Sequence, residues 1–206
     1  MSSELRRDRH ATAPALPRIV RVLRLPGGER VLVRPVRPRD AGILQAYVRA
    51  LSPNSRFNRF FGPVPEVPPA ELDRVLHLEG RNQLALVAQT CGDGVSTVIA
   101  EARYALVSDG LECEFALSVA DDFRQMGLGA QLLAEIECRA RALGARRLVG
   151  DVLRSNETMQ AFARKAGFTM TGVPADARLI RIVKDLATSS AASPCKPAIS
   201  ELPIAA

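Results

Sequence analysis

A chain of 206 residues and 22.2 kDa has the length of one ordinary domain. Its 47% hydrophobic and 24% charged residues exclude a globally disordered, collagen-like or acidic solvating chain, and 4% aromatics without Trp leave little material for a face that stacks single-stranded nucleic acid. The formal net charge of +6 is carried by arginine, since among 28 basic residues only Lys165, Lys184 and Lys196 are lysines. The guanidinium fork suits an anionic ligand such as a nucleotide-like cofactor or an acidic protein surface, but the arginines are scattered, and a composition-wide basic surface accounts for them better; nucleic-acid binding has no motif behind it.

Cys91, Cys113, Cys138 and Cys195 form no C-x-x-C pair, and His10 and His77 stand far from any ligand spacing, so no metal site is expected and the cysteines read as reduced thiols. Arg6 and Arg7 are followed by no apolar segment, and no apolar run reaches the about 20 residues of a membrane helix. The chain reads as soluble and cytoplasmic, with flexible tails over 1–17 and 188–206 and one domain over 18–187.

Within that domain β-branched runs alternate with helical periods, the pattern of an α/β or α+β fold. Val31 to Arg34 predicts a strand stopped by Pro35, and Asp40 a cap for a helix with Ile43, Leu44, Tyr47, Val48 and Leu51 on one face, ending near Ser52-Pro53. Pro68 and Pro69 open a second helix carrying Leu72, Val75 and Leu76, and Leu84 to Gln89 predicts a short strand. Val95 to Val107 and Leu111 to Val119 flank Ser108-Asp109-Gly110, an antiparallel hairpin signal. A helix over Gly127 to Leu143 sets Leu128, Leu132, Leu133, Ile136, Ala140 and Leu143 on one stripe, stopped by Gly144. Arg147 to Leu153 is a strand, Ser155 can cap a short helix with Met159, Phe162 and Ala166, Phe168 to Thr171 returns as a strand, and Ala177 to Val183 pairs with it at the edge.

The chemistry concentrates between Glu112 and Leu133. A strand runs through Asp121-Asp122-Phe123 into Arg124-Gln125-Met126-Gly127-Leu128-Gly129-Ala130 and then a long helix. Gly127 and Gly129 permit a tight turn and close backbone approach, and the unpaired N–H groups of the helix start face whatever anion lies there, as a pyrophosphate would. The G-x-G-x-x-G and Walker patterns are both absent. Close helix–sheet packing explains a lone G-x-G equally well. By period 2, Cys113, Phe115, Leu117 and Val119 share one face of this strand, and Glu112, Glu114, Ala116 and Ser118 the other.

Arg124-x-x-Gly127-x-Gly129 after a strand, then Asn156, then Lys165-x-Gly167-Phe168, resembles the acetyl-CoA-binding core of the GNAT N-acetyltransferases over roughly Arg30 to Leu186. Val33-Arg34-Pro35-Val36-Arg37-Pro38-Arg39-Asp40 and the stretch from Leu51 to Gly62 (LSPNSRFNRFFG) narrow it to the GNAT domain of bacterial Pat-type protein lysine acetyltransferases; the regulatory domains often fused there are not carried over. The resemblance implies a GNAT α/β fold with a mixed, mostly antiparallel six- to seven-stranded sheet flanked by about four helices. It implies acetyl-CoA as co-substrate and an acetyl transfer to a primary amine, foremost a protein lysine. Leu117 and Val119 would offer backbone groups to the pantetheine arm, and Arg124, Gln125, Met126, Gly127, Leu128, Gly129 and Ala130 would hold the pyrophosphate. Asn156 would bond the pantetheine or its surroundings; an ordinary polar residue in a helix's first turn is the other explanation. Glu114 falls where Pat-type proteins carry their glutamate base, with Glu112 as second choice. Burial and Glu112 beside it would raise its pKa into a useful range, unless it is tied up in a cross-strand ion pair with Arg103.

One departure keeps another function open. Many GNAT enzymes have a tyrosine acid where this chain has Ala163, leaving Tyr104 or water for that role. A non-catalytic acyl-CoA-sensing module is therefore one alternative, and a small-amine acetyltransferase, which would want an acidic acceptor cleft, is the other. Arg56, Arg59, Phe60 and Phe61 are expected in a loop between the first two helices, either shaping the acceptor cleft or plugging the core.

Overall fold

The structure, a computed structural model, describes residues 20–187 apart from 79, 81, 93–94 and 108–109, with backbone only at 91, 92 and 95. The expected tails, 1–17 and 188–206, lie outside the described residues, as does the Ser108-Asp109 hairpin tip. The elements in chain order are β1 (Arg21–Arg24), β2 (Arg30–Pro35), α1 (Ala41–Ala50), α2 (Pro53–Phe60), α3 (Pro69–Leu76), β3 (Gln83–Gly92), β4 (Val95–Leu106), β5 (Glu112–Val119), α4 (Leu128–Ala142), β6 (Arg147–Leu153), α5 (Glu157–Lys165), β7 (Thr169–Gly172) and β8 (Leu179–Asp185). The strands form an eight-stranded sheet in the order β1-β2-β3-β4-β5-β6-β8-β7. Every neighbouring pair is antiparallel except β5 and β6.

Helices cover both faces, which is why β3 reads as a continuous apolar run rather than an alternation. Its Leu86 and Ala88 enter the cluster beneath α4 and α5. Its Ala85 and Val87 enter the second cluster, with Leu44, Tyr47 and Val48 of α1 and Val75 and Leu76 of α3. On α4, Leu128, Leu132, Ile136 and Ala140 recur every fourth residue and are at most 1% exposed, each such Leu or Ile worth about 1.5–3 kcal/mol of burial. The helix stops at Gly144, φ +87°, where Ala145 N–H bonds the Ala140 carbonyl at 2.9 Å and Gly144 N–H the Arg141 carbonyl, a glycine-terminated C-cap.

The expected class holds, with corrections of detail. Among the described residues the sheet has eight strands instead of six or seven, flanked by five α-helices instead of about four, because β1 and α2 carry little apolar pattern. Helix α2 replaces the expected loop: Arg56, Arg59 and Phe60 are helical, and Phe61 is its left-handed C-cap. Phe60 packs on the second core, whereas Phe61 is 36% exposed. As expected, the run from Ala177 pairs with the preceding strand as a hairpin at the sheet edge, with β7 outermost and β8 between it and β6. Asp40 precedes α1, and its carboxylate accepts from Arg37 N–H and from the guanidinium of Arg34, the Arg34–Asp40 pair being buried. Cys113 is free and buried; Cys138 is disulfide-bonded, against the expectation of four thiols.

Candidate active site

Strands β5 and β6 run side by side only briefly. Glu112, Cys113 and Glu114 pair with Arg147, Leu148 and Val149, and there the parallel ladder ends. On its other edge β5 stays paired with β4 from Cys113 to Val119. Val107 N–H bonds the Glu112 carbonyl and Ala120 N–H the Ile99 carbonyl, so even-numbered residues of β5 direct their backbone groups to β4 and the odd-numbered Phe115, Leu117 and Val119 direct theirs into the opening. Gly150 stands where the strands part. A Cβ there would lie 3.2 Å from both the ring and the carbonyl oxygen of Phe115.

A cavity of about 940 Å³ follows this opening, near the top of the about 300–1,000 Å³ range for small-ligand pockets. At one end lies the loop before α4. After the turn Asp121–Phe123, Arg124 is extended, Gln125 has φ +62° and Gly127 φ +83°. No side chain caps α4. Its first internal bond runs from Gln131 N–H to the Gly127 carbonyl, so the N–H groups of Leu128, Gly129 and Ala130 have no acceptor within the helix, and they lie at its positive end. These features fit a diphosphate. The loop's Arg124, Gln125, Gly127, Gly129 and Ala130 line the cavity, as do Leu117, Val119, Glu114 and Asn156. The side chains of Met126 and Leu128 do not: Met126 is exposed and Leu128 is buried in the core. Asn156, rather than the expected Ser155, caps α5, its Oδ1 accepting from Met159 N–H at 3.1 Å, which leaves its side-chain amide N–H groups for the cavity.

The opposite wall is built on the other face of β5, as the period-2 pattern predicts. Glu114 is exposed, so the expected activation by burial is corrected. Its anticipated partner Arg103 is instead bonded to Glu101 and to Glu71, the latter at 3.1 Å. Glu112 pairs with Arg147 at 2.9 Å. Glu101 is the buried glutamate here, 3% exposed, with Arg59 of α2 at 3.2 Å on one side and Arg103 on the other. Burial pushes its carboxyl up, but the two guanidiniums outweigh that and hold it below the ordinary range, keeping it ionised and engaged. Ser118, opposite Glu101, shares a 2.9 Å hydrogen bond with the Tyr47 hydroxyl, and burial pushes the tyrosine's pKa up.

Of this wall, sequence reasoning anticipated Arg59 and Phe61 as residues shaping a cleft, and both line the cavity; it missed the rest because the parts come from distant segments. Asn54, Ser55, Asn58 and Arg59 of α2 line the cavity, but no apolar period marks the helix. Asp121 receives Ser52 N–H at 3.0 Å and Ser55 Oγ at 2.7 Å, and pairs with Arg124 at 3.1 Å. Ala163 is fully buried, and Tyr104 is packed beneath α4 at 2% exposure, which removes Tyr104 as the acid. Among the described residues no cluster of three metal-ligating side chains occurs, and no helix is long and apolar enough to cross a membrane.

Comparison with known proteins agrees with this geometry. Residues 55–168 match the family model of the acetyltransferase (GNAT) family. An acetyltransferase of Pseudomonas aeruginosa, PA5475, is 32% identical over 152 residues, covering 74% of this chain and 82% of that protein. The crystal structure of the GNAT domain of S. lividans PAT superposes with a TM-score of 0.72 at 28% identity, covering 81% of this chain and 96% of the domain. The protein yncA of Salmonella typhimurium, determined with its cofactor acetyl-CoA, shares the fold at a TM-score of 0.56 and 19% identity over 78% of this chain and 96% of its own. With more than half its length inside the family model and a named acetyltransferase among its relatives, the chain belongs to the acetyltransferase (GNAT) family of acyltransferases.

Proposed function

We propose that this protein transfers the acetyl group of acetyl-CoA to a primary amine, foremost a lysine side chain of a protein in the cytoplasm, with Glu114 as general base. The observation that carries the assignment of the base is the state of the carboxylates along the cleft. Of the other carboxylates that line the cavity, Glu137 pairs with Lys184 at 2.6 Å and Asp151 with Arg181 at 2.8 Å, and beside it Glu112, Glu101, Glu71 and Asp121 are each held by an arginine, whereas Glu114 lines the cavity without an ion pair among the described residues. It also sits on the last paired residue before the strands separate.

In this reading the backbone N–H groups from Arg124 to Ala130 hold the diphosphate of the co-substrate. The odd-numbered backbone groups Leu117 and Val119, together with the Asn156 side-chain amide, face the pantetheine arm. An ammonium has no lone pair, so Glu114 removes a proton from the acceptor directly or through water. The amine nitrogen then bonds the thioester carbon, the C–S bond breaks, and the thiolate leaves. A thiol pKa of about 8.5 makes water an adequate proton source, which fits the absence of a tyrosine at Ala163. The likeness to the S. lividans PAT domain supports the protein acceptor, and the net charge of +6 favours acidic surfaces around a target lysine.

Release of free thiol from acetyl-CoA, measured over pH 6 to 9 with protein and small-amine acceptors, tests this. Turnover with a protein acceptor is expected, and Glu114→Gln lowers kcat by about 100-fold near pH 7, the lower end for a general base. Turnover with small amines alone would move the acceptor to that class. The buried Ala163 favours a second reading, a module that binds acyl-CoA without turnover; saturable CoA binding with no thiol release from any acceptor would establish it.

A further inference from the structure

Helix α2 forms the acceptor-side wall, yet only Ser55 of its residues is buried. It lacks the apolar stripe that fastens a surface helix, and polar anchors replace it. Arg59 at its C-terminal end reaches Glu101, and Arg56 donates to the carbonyls of Arg49 and Leu51. At the N-terminal end everything converges on Asp121. Its Oδ2 accepts from Ser52 N–H at 3.0 Å, and its Oδ1 accepts from Ser55 Oγ at 2.7 Å and Ser52 Oγ at 3.2 Å. The same Oδ1 lies 3.1 Å from an Arg124 nitrogen. A second Arg124 nitrogen donates to Ser55 Oγ at 2.7 Å, and its Nε contacts the Val119 carbonyl at 3.4 Å. Arg124 thus touches both the first turn of α2 and the opening between β5 and β6.

From this juxtaposition we propose that Asp121 is a positioning residue that joins the diphosphate loop to the acceptor wall, so that occupancy of the loop holds α2 in place. The inference rests on the acetyl-CoA reading above. A guanidinium carries five N–H donors in a rigid fork. Those committed to Asp121, Ser55 and Val119 orient Arg124 and leave others for a diphosphate oxygen, so the anion adds to the cluster instead of dismantling it. Such pre-organisation lowers the cost of binding. Coupling between sites is reciprocal, so an ordered α2 also tightens the loop's hold on the co-substrate. Asp121 touches neither reacting atoms nor leaving group and acts through Ser55 and Arg124.

The test is amide hydrogen exchange of residues 53–60 with and without CoA, alongside calorimetric CoA binding, in wild type, Asp121→Asn and Ser55→Ala. CoA is expected to slow exchange in α2 of the wild type by about tenfold, within the 5- to 150-fold range of typical couplings. Both variants are expected to lose that slowing and to bind CoA more weakly, and Asp121→Glu to regain part of it. Binding of CoA to wild type with unchanged α2 exchange would overturn the proposal and leave the co-substrate reading intact. Equal protection of α2 in wild type and folded Ser55→Ala would overturn it as well. Failure of wild type to bind CoA at all would overturn both.

Discussion

At Gly150 a hydrogen atom takes the place of a side chain because the Phe115 ring and carbonyl lie 3.2 Å from where a Cβ would be. Gly150→Ala forces β6 or the ring to shift, at about 1–3 kcal/mol for overpacking, and a lower urea midpoint at unchanged slope measures it. Burial pushes the Cys113 thiol up to about 12, so mass mapping after iodoacetamide treatment at pH 8 is expected to find it unmodified in the native protein and modified in denaturant. The alternation of β5 was legible in the sequence and put Glu114 and Ser118 on one face, as found. The exposure of Glu114 was not legible, because it depends on which neighbours cover that face, and Arg103, the expected partner, is engaged by Glu101 and Glu71.

Among the elements, α4 and α5 announce themselves through i, i+4 apolar spacing and glycine stops, and both occur close to their expected bounds. Helix α2 does not, because Pro53-Asn54-Ser55-Arg56-Phe57-Asn58-Arg59-Phe60 spends its positions on polar anchors. The C-terminal anchor can be tested apart from the loop. Glu101→Gln removes the negative charge between Arg59 and Arg103, and breaking a buried ion pair from one side costs about 3–5 kcal/mol. The expected outcome in urea denaturation is a loss of that order, partly recovered in Glu101→Gln/Arg59→Met, where the stranded cation at the helix is also gone.

Across the whole molecule several carboxylates are depressed together. Burial pushes Asp40 up, but Arg34, the Arg37 N–H and the charge of both outweigh it; at Asp121 the serine hydrogen bonds, the Ser52 N–H and Arg124 do the same, as the arginines do at Glu101. Folded pKa values below the unfolded ones give stability that is complete above the ordinary carboxylate range and lost as pH falls through the folded values. The urea midpoint is therefore expected to hold down to about pH 4 and to fall below it. Asp40→Asn is expected to be less stable at pH 7 and to show a shallower acid limb. The strand and helix order was legible along the chain, but the separation of β5 from β6 was not, since it comes from register between segments more than thirty residues apart.

The sheet amounts to two plates, β1 to β5 and β6 with β8 and β7, riveted at Glu112–Arg147, Cys113–Leu148 and Glu114–Val149. Each plate is internally stitched by longer ladders, seven residues of β4 against β5 and seven of β6 against β8. A twist of one plate against the other is therefore taken up at the rivets, and the outermost rivet carries Glu114. The angle between the plates sets the aim of that carboxylate, so a substitution far out on β7 or β8 that tilts its plate reaches the proposed base without touching the cleft.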